Sequence, residues 1–544
     1  MSSRQPQRIL LDGNQLTWEQ LELILGGQAI KVELCPQARE QMSRVREEAL
    51  TLLRTDHPPR IYGWNQGLGP LKIHPLTLQE QEQFQQNVLL SHHAGVGNYL
   101  PEQVARLALV IRANVLARGT AGVRPELVER ILKLVNSGLV PLIPQVGSMG
   151  TGDLQPMAAV GLALVGHPQA QLLCPQGSLQ AARQAYQKLG LEADFPLQAG
   201  EAIGLISGSA VLSASLAWAL QQVKEQLTVF TGSFALFCEA SRAEKQAFDL
   251  RMHRERHIPA EEQSAQQILS LIADSHWGTQ AGRRLAGEEQ PRVQDSTSVR
   301  SVPHQLAAVI QEIERACQEI SRDVNASTCN PILLPREGGG VDFISGGNWD
   351  GTILGQVAHS LNVSITRLAV LAKDLAGRLL HEGWSYGLPP SLSGGQLGLN
   401  SGMTLLYTTG ASLIPEMQVR ANPVSTLSFP IKGGQEDHNT MAMAGVNNLL
   451  SNLGRLNTVL AVFLLLSAQG IHLLQPLMGS LPLGSGSEQI YRYLRQQVAP
   501  LEEDRPLVED LETARALIAD GTLASYIQDL LEWQGPDQAG SYII

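Results

Sequence analysis

A chain of 544 residues with 43% hydrophobic and only 17% charged residues holds enough apolar material for several core layers or more than one domain. Its formal net charge of −11 argues against general binding to nucleic acid or to anionic membrane surfaces. The five cysteines (Cys35, Cys174, Cys238, Cys317 and Cys329) form no Cys-x-x-Cys pair and are odd in number, which points to free thiols in a reducing, cytoplasmic setting.

In chain order, the first residues carry no apolar core followed by a cleavage site, so no signal peptide is expected. Residues 8–11 read as a strand. Thr77-Leu78-Gln79-Glu80 reads as a capping box opening a helix toward Ser91. Pro125 takes the first position of a second helix, Leu127, Ile131, Leu132 and Leu134 follow at helical spacing, and Gly138 closes it. Residues 145–157 contain Gly147, Gly150 and Gly152, which free the backbone for a tight turn. Asp153 then stands as N-cap candidate for an apolar helix over 154–164, whose start favours negative charge. Leu205-Ile206 gives a short strand signal. Helical periodicity covers 210–240, 302–323, 351–382, 402–420, 438–470 and 509–520, and the runs 332–334 and 341–344 around Gly338-Gly339-Gly340 read as a hairpin. The most apolar run, 459–466, falls short of the ~20 residues of a membrane span, so a buried helix is expected. No repeat or low-complexity linker divides the chain. The fold class is therefore mainly α, a long central helix bundle with a smaller mixed α/β N-terminal part. Its expected divisions are 1–205, 206–480 for the bundle, and 481–544 for a C-terminal helical segment.

Several short motifs follow one another in order. Tyr62-Gly63-Trp64-Asn65-Gln66-Gly67-Leu68-Gly69 comes first, then Gly147-Ser148-Met149-Gly150-Thr151-Gly152-Asp153-Leu154-Gln155-Pro156. Later come Ser345-Gly346-Gly347-Asn348-Trp349, Asn400-Ser401-Gly402 and Gln435-Glu436-Asp437-His438. Together they resemble the aromatic amino acid ammonia-lyases, the histidine, phenylalanine and tyrosine lyases, over nearly the whole chain from about residue 8 to residue 520. The family signature Gly-Ser-x-Gly-Ala-Ser-Gly-Asp-Leu-x-Pro supplies an Ala-Ser-Gly triad that cyclises and dehydrates to the electrophilic methylidene-imidazolone (MIO). Here Thr151-Gly152 stand where three residues are expected, so the segment is one residue short and the serine is missing. Aligned as Gly150-Thr151-Gly152, the triad would yield an ethylidene whose extra methyl crowds the carbon that the amine attacks. A standard MIO group is therefore not expected.

The resemblance implies roles for particular residues. Eliminating ammonia from an amino acid needs a base for the weakly acidic β-proton and an anchor for the carboxylate. Tyr62, on a glycine-flanked loop read as a lid, stands at the family's base position, and Glu436 is the second catalytic candidate. Arg300 matches the arginine that grips the substrate carboxylate, a role suited to a guanidinium fork. Thr297 replaces a tyrosine three residues earlier, and Ser207 replaces an asparagine that positions the amino acid end. Ser91-His92 and Glu436 resemble the histidine lyases and suit a polar ring such as imidazole. Asn348 and Gln435 match pocket residues. Trp349 replaces a phenylalanine and Asp350 a histidine, altering the pocket's size and charge.

Two other chemistries are set aside. His253 and His257 have the i, i+4 spacing of a metal pair, but their segment resembles a non-metal part of the family, so no metal is expected. Cys329 reads as a buried structural thiol. The expected function is a diverged lyase or aminomutase acting on a small amino acid-like carboxylate. The alternatives are an MIO-independent elimination or addition in the same pocket, or a non-catalytic binding paralogue. By resemblance the assembly is a homotetramer, with no nucleic-acid or membrane partner.

Overall fold

The computed structural model describes residues 6–290 and 292–532; residues 1–5, on which the signal-peptide reading partly rests, and 533–544 lie outside them. Helices dominate, as the periodicity predicts, and the chain gathers into two compact units built from discontinuous stretches. The first comprises Met1–Trp218, Ala316–Ala358 and Pro423–Asn447; the second comprises Ala219–Arg315, His359–Asn422 and Asn448–Ile544.

In the first unit, strand Gln7–Leu11 pairs in parallel with Ile30–Leu34, and helix Trp18–Leu25 makes the crossover. Thr17 and Gln20 close a full capping box at that helix. The second strand is short and only half apolar, with Ile30 and Val32 buried and Lys31 exposed. Glu102–Ala117 is buried almost throughout, and Pro125 starts the amphipathic helix Pro125–Asn136 as expected. The hairpin forms, with Ile332–Pro335 antiparallel to Val341–Ile344.

Local expectations meet four corrections. Leu205 and Ile206 close the helix Glu201–Ile206 rather than forming a strand, because both are fully buried in a helix that packs against helices Glu80–His92 and Leu154–Leu164. Thr77 forms only half a capping box: its N–H and hydroxyl both donate to Glu80 Oε2 at 2.8 Å, and the helix begins at Glu80 itself. Asp153 occupies the N-cap of Leu154–Leu164 without a side-chain cap, because its carboxylate accepts from Ser148 Oγ instead. The 402–420 pattern splits into Thr404–Ser412 and Ile414–Arg420, since Pro415 at the second helix's start has no N–H to continue the first.

The second unit is helical and carries an aromatic core. Phe230 lies 5.7 Å from Phe463, and Phe234 meets Phe248 edge-on at 5.8 Å between centroids. Asn452 Nδ2 donates to Asn362 Oδ1 at 2.7 Å and to the Met417 carbonyl at 3.0 Å, a buried polar tie between helices. Two helical stretches, Glu201–Ala240 and Ala442–Met478, are longer and more uniformly apolar than the run 459–466 implies. By length and composition alone they match a membrane span, yet 94% and 72% of their most apolar windows are buried inside the protein. Cys35, Cys174, Cys238 and Cys329 are free thiols, and Cys329 is buried.

Candidate active site

Three helix ends carry candidate residues within the first unit. Glu80–His92 ends at Ser91 and His92, Leu154–Leu164 starts after Asp153, and Glu201–Ile206 runs out at Ser207. The three helices pack on one another. Gly161 lets them close up, for a Cβ there would lie 2.5 Å from Leu89 Cδ2. Buried Gln85 joins the elements: its Nε2 donates to the Gly63 carbonyl at 3.4 Å, and its Oε1 accepts the Ala202 N–H at 3.0 Å.

The loop that bears Tyr62 is tied to its surroundings at several points. Trp64 is fully buried, and Asn65 accepts the Ile61 N–H at 2.7 Å and donates to the Pro59 carbonyl at 2.9 Å. Gly63 bends the chain with φ +71° where a side chain would strike Ile203. Tyr62 Oη accepts the Gly69 N–H at 2.9 Å. Burial pushes its pKa up, the Gly69 hydrogen bond opposes this, and the negative charge of Glu436 adds to the rise.

Glu436 reaches the same neighbourhood through a tight turn. Ile431 N–H donates to the Glu436 carbonyl at 2.8 Å, and the intervening Lys432, Gly433 and Gly434 all have positive φ. For Lys432 that costs about 1 kcal/mol. The turn places Lys432 Nζ 2.6 Å from Glu436 Oε1, and it touches the turn Gly69–Leu71 of the tyrosine loop. Gln435 is exposed on it. His92 feels both charges. Its pKa is lowered by burial, raised by a hydrogen bond to the Val88 carbonyl, lowered by Lys432 and raised by Glu436. Because a carbonyl only accepts, the 2.8 Å contact from Nδ1 to Val88 puts the proton on Nδ1 and leaves Nε2 of the neutral ring as an acceptor. Ser91 Oγ lies 3.1 Å from the same Nδ1.

The glycine loop is hydrogen-bonded along its length. The Gly150 carbonyl accepts from Met443 N–H at 3.0 Å and that of Thr151 from Leu212 N–H at 3.1 Å. Gly152 N–H donates to Ser148 Oγ at 3.1 Å, and the same hydroxyl donates to Asp153 Oδ1 at 2.9 Å. Burial raises the Asp153 pKa to about 6, with Ser148 opposing and Glu436 adding to the shift. Thr151 is fully buried, its hydroxyl has no hydrogen-bond partner, and its methyl abuts Gly351, where a Cβ would lie 2.7 Å away. Neither the triad serine nor an exposed β-carbon is present.

The remaining candidates occupy distinct settings. Ser207 is buried at its helix end, and neighbouring Ser209 donates to Asp323 at 2.6 Å. Asn348 Nδ2 donates to the Ser327 carbonyl at 3.3 Å, and Trp349 is half-buried. Asp350 serves the architecture. One of its oxygens accepts the Thr352 N–H at 2.8 Å, starting the helix Thr352–Leu379, and the other meets His438 Nε2 at 3.0 Å. Thr297 and Arg300 belong to the second unit, on the one-turn helix Thr297–Arg300, where Arg300 Nε donates to the Asp295 carbonyl at 2.9 Å. Lys432 and the Ser148–Asp153 pair are functional candidates that sequence reasoning misses. The signal for Lys432 is the doublet Gly433-Gly434, which permits the turn folding it onto Glu436.

The family description "Aromatic amino acid lyase" matches residues 16–496. The chain belongs to the aromatic amino acid lyase family. Members of this lyase family are enzymes, and the relatives are named for carbon–nitrogen lyase activity. The lyase chain is 32% identical over 523 residues to a histidine ammonia-lyase of Natranaerobius thermophilus, covering 96% of this chain and 98% of that one. It is similar in structure to histidine ammonia-lyase from Trypanosoma cruzi, at 26% identity and a TM-score of 0.83, covering 98% of this chain and 100% of the other. It also resembles tyrosine aminomutase from Streptomyces globisporus, at 25% identity and a TM-score of 0.85, over 96% and 98% of the two chains.

Proposed function

We propose that this lyase eliminates an amine from a histidine-sized, polar-ring amino acid without a standard MIO group. The observation that carries the reading is the meeting of Tyr62, neutral His92, Asp153 and the Lys432–Glu436 pair in one electrostatic neighbourhood. Thr151 does not fit the family's group, being a buried threonine in a segment one residue short, so no step is routed through MIO. The Tyr62 oxygen, as phenolate, takes the β-proton. With the substrate amine in its ammonium form, the C–H electron pair becomes the new double bond, and the C–N pair leaves with the nitrogen as neutral ammonia. His92 Nε2 accepts a ring N–H of the substrate.

The test combines intact mass with ammonia release. Peptide mapping of residues 147–154 should show no loss of water, while histidine or a related amino acid yields ammonia and an α,β-unsaturated acid. Tyr62→Phe should lower kcat by at least about 100-fold, the scale of general base catalysis. Loss of two waters in that peptide would overturn the MIO-free reading, and no turnover with any polar-ring amino acid would overturn the substrate reading. Because burial and Glu436 hold the proton on Tyr62, kcat should climb toward alkaline pH. Glu436→Gln should move that limb to lower pH.

A further inference from the structure

The second unit holds a cluster the elimination reaction does not use. His253 lies on the short helix Leu250–Arg254, Glu261 in the first turn of Pro259–Leu271, and His304 in the first turn of Val302–Asp323. His253 and Glu261 are buried, His304 is partly so, and one ligand atom from each lies within 4.8 Å of the others. The rings of the two histidines are 5.3 Å apart. The i, i+4 partner His257, at which no metal is expected from the sequence, has left-handed backbone at φ +55° and is no part of the cluster.

The polar atoms here are unusually ill-served. His253 Nε2 approaches the Ala247 carbonyl at 3.2 Å, so it carries the proton and leaves Nδ1 with a lone pair. That Nδ1 is buried with no hydrogen-bond partner. His304 Nδ1 and Glu261 Oε2 come within 2.8 Å at an angle that makes no hydrogen bond, so both stay unsatisfied. Arg256 stands 3.5 Å from the Glu261 carboxylate, the neighbouring cation, with most of its side chain in solvent. An apolar patch of Ala260, Ala307 and Ile310, with Leu227 and Ile258 packed on it, draws on the same helices. Two imidazole nitrogens and a carboxylate oxygen without hydrogen-bond partners, served only by an exposed guanidinium at 3.5 Å, favour a positive charge among them.

We propose that His253 Nδ1, Glu261 Oε2 and His304 Nδ1 bind one divalent transition-metal ion of the zinc class, with water in the fourth position. Two imidazoles and one carboxylate form a common zinc ligand set, and a histidine whose other N–H meets a backbone carbonyl has the usual outer support. Tetrahedral zinc with nitrogen bonds near 2 Å sets donors about 3.3 Å apart, so the widest pair closes by side-chain rotation. The ion would clip the first turn of Val302–Asp323, through His304 four residues beyond Arg300, to the helix Pro259–Leu271.

The full-length protein, stripped with a chelator and dialysed, is titrated with Co2+ and then Zn2+. One Co2+ per chain, with visible bands of a low-coordinate site that Zn2+ abolishes and a raised Tm under Zn2+, is the expected result. Glu261→Gln and His304→Ala should each weaken Co2+ binding by at least about 10-fold, since even outer-shell changes cost that much. His257→Ala should bind as the parent does. Absence of a stoichiometric site in the folded parent, or binding unchanged in Glu261→Gln and His304→Ala, would overturn the proposal. Glu261→Gln is nearly isosteric, which separates loss of a ligand from loss of fold.

Discussion

Asp153 shows how a single carboxyl ties the glycine loop to pH. Burial lifts its pKa from 3.8 to about 6 in the folded chain. The ionised form is thus disfavoured by folding: the group's contribution is fully present below the unfolded value and is lost as pH rises through 6. Asp153→Asn keeps an acceptor for Ser148 but cannot ionise. The variant should gain on the parent between pH 4 and 7 by at most about 3 kcal/mol, read from urea unfolding at both pH values. A difference that does not change with pH would sink the assignment. At this scale the sequence is informative about residue types and poor about what each one does. Tyr62, His92 and Glu436 can be named from short motifs. The pairing of Asp350 with His438 cannot, because it joins residues 88 positions apart. The anchoring of the Tyr62 loop is also hidden, since its glycines signal freedom while Trp64 and Asn65 supply the restraint.

Among the elements, Glu239 near the end of helix Ala210–Ala240 is the clearest tie. Its carboxylate accepts from Ser275 Oγ at 2.6 Å, from Gly484 N–H at 2.9 Å and from Ser487 Oγ at 2.8 Å, all in buried surroundings. Glu239→Ala strands those donors and should cost about 3 kcal/mol, seen as a lower thermal midpoint. Glu239→Gln, which keeps an acceptor oxygen, should fall by less. Equal losses would mean that an amide replaces none of what the carboxylate does, so that the tie needs both carboxylate oxygens. The long helices are legible because periodicity accumulates over many turns, and the patterns at 210–240 and 302–323 match Ala210–Ala240 and Val302–Asp323. Short elements are less so. Two apolar residues, Leu205 and Ile206, do not specify a strand against the pull of helix packing, and the pattern at 402–420 passes over what Pro415 does to the preceding turn.

For the molecule as a whole, we propose the homotetramer that the family pattern implies. Leu399, Leu405 and Val419, within the second unit, are 78%, 77% and 72% exposed in the single chain. Apolar side chains concentrated in one stretch of sequence favour burial against another copy. Light scattering should give four chain masses for the parent and a smaller species for Leu405→Lys with Val419→Lys. A single-chain mass for the parent would refute the assembly. The units of the described chain gather discontinuous stretches, whereas a reading along the sequence divides it into contiguous spans. Pairing between segments hundreds of residues apart leaves little local trace in composition.

The two hydrogen bonds of Ser148 bear on whether the family's Ala-Ser-Gly triad could be built into this loop. Thr151→Ser alone would return a hydroxymethyl group but not the missing residue of the segment. Inserting a residue, in turn, pulls Gly152 and Asp153 out of register with the hydroxyl that now holds both. Building the family triad into this loop is therefore a coordinated change of the turn. On the MIO-free reading we propose, no single substitution converts the loop to the family signature; an insertion and a substitution are needed together.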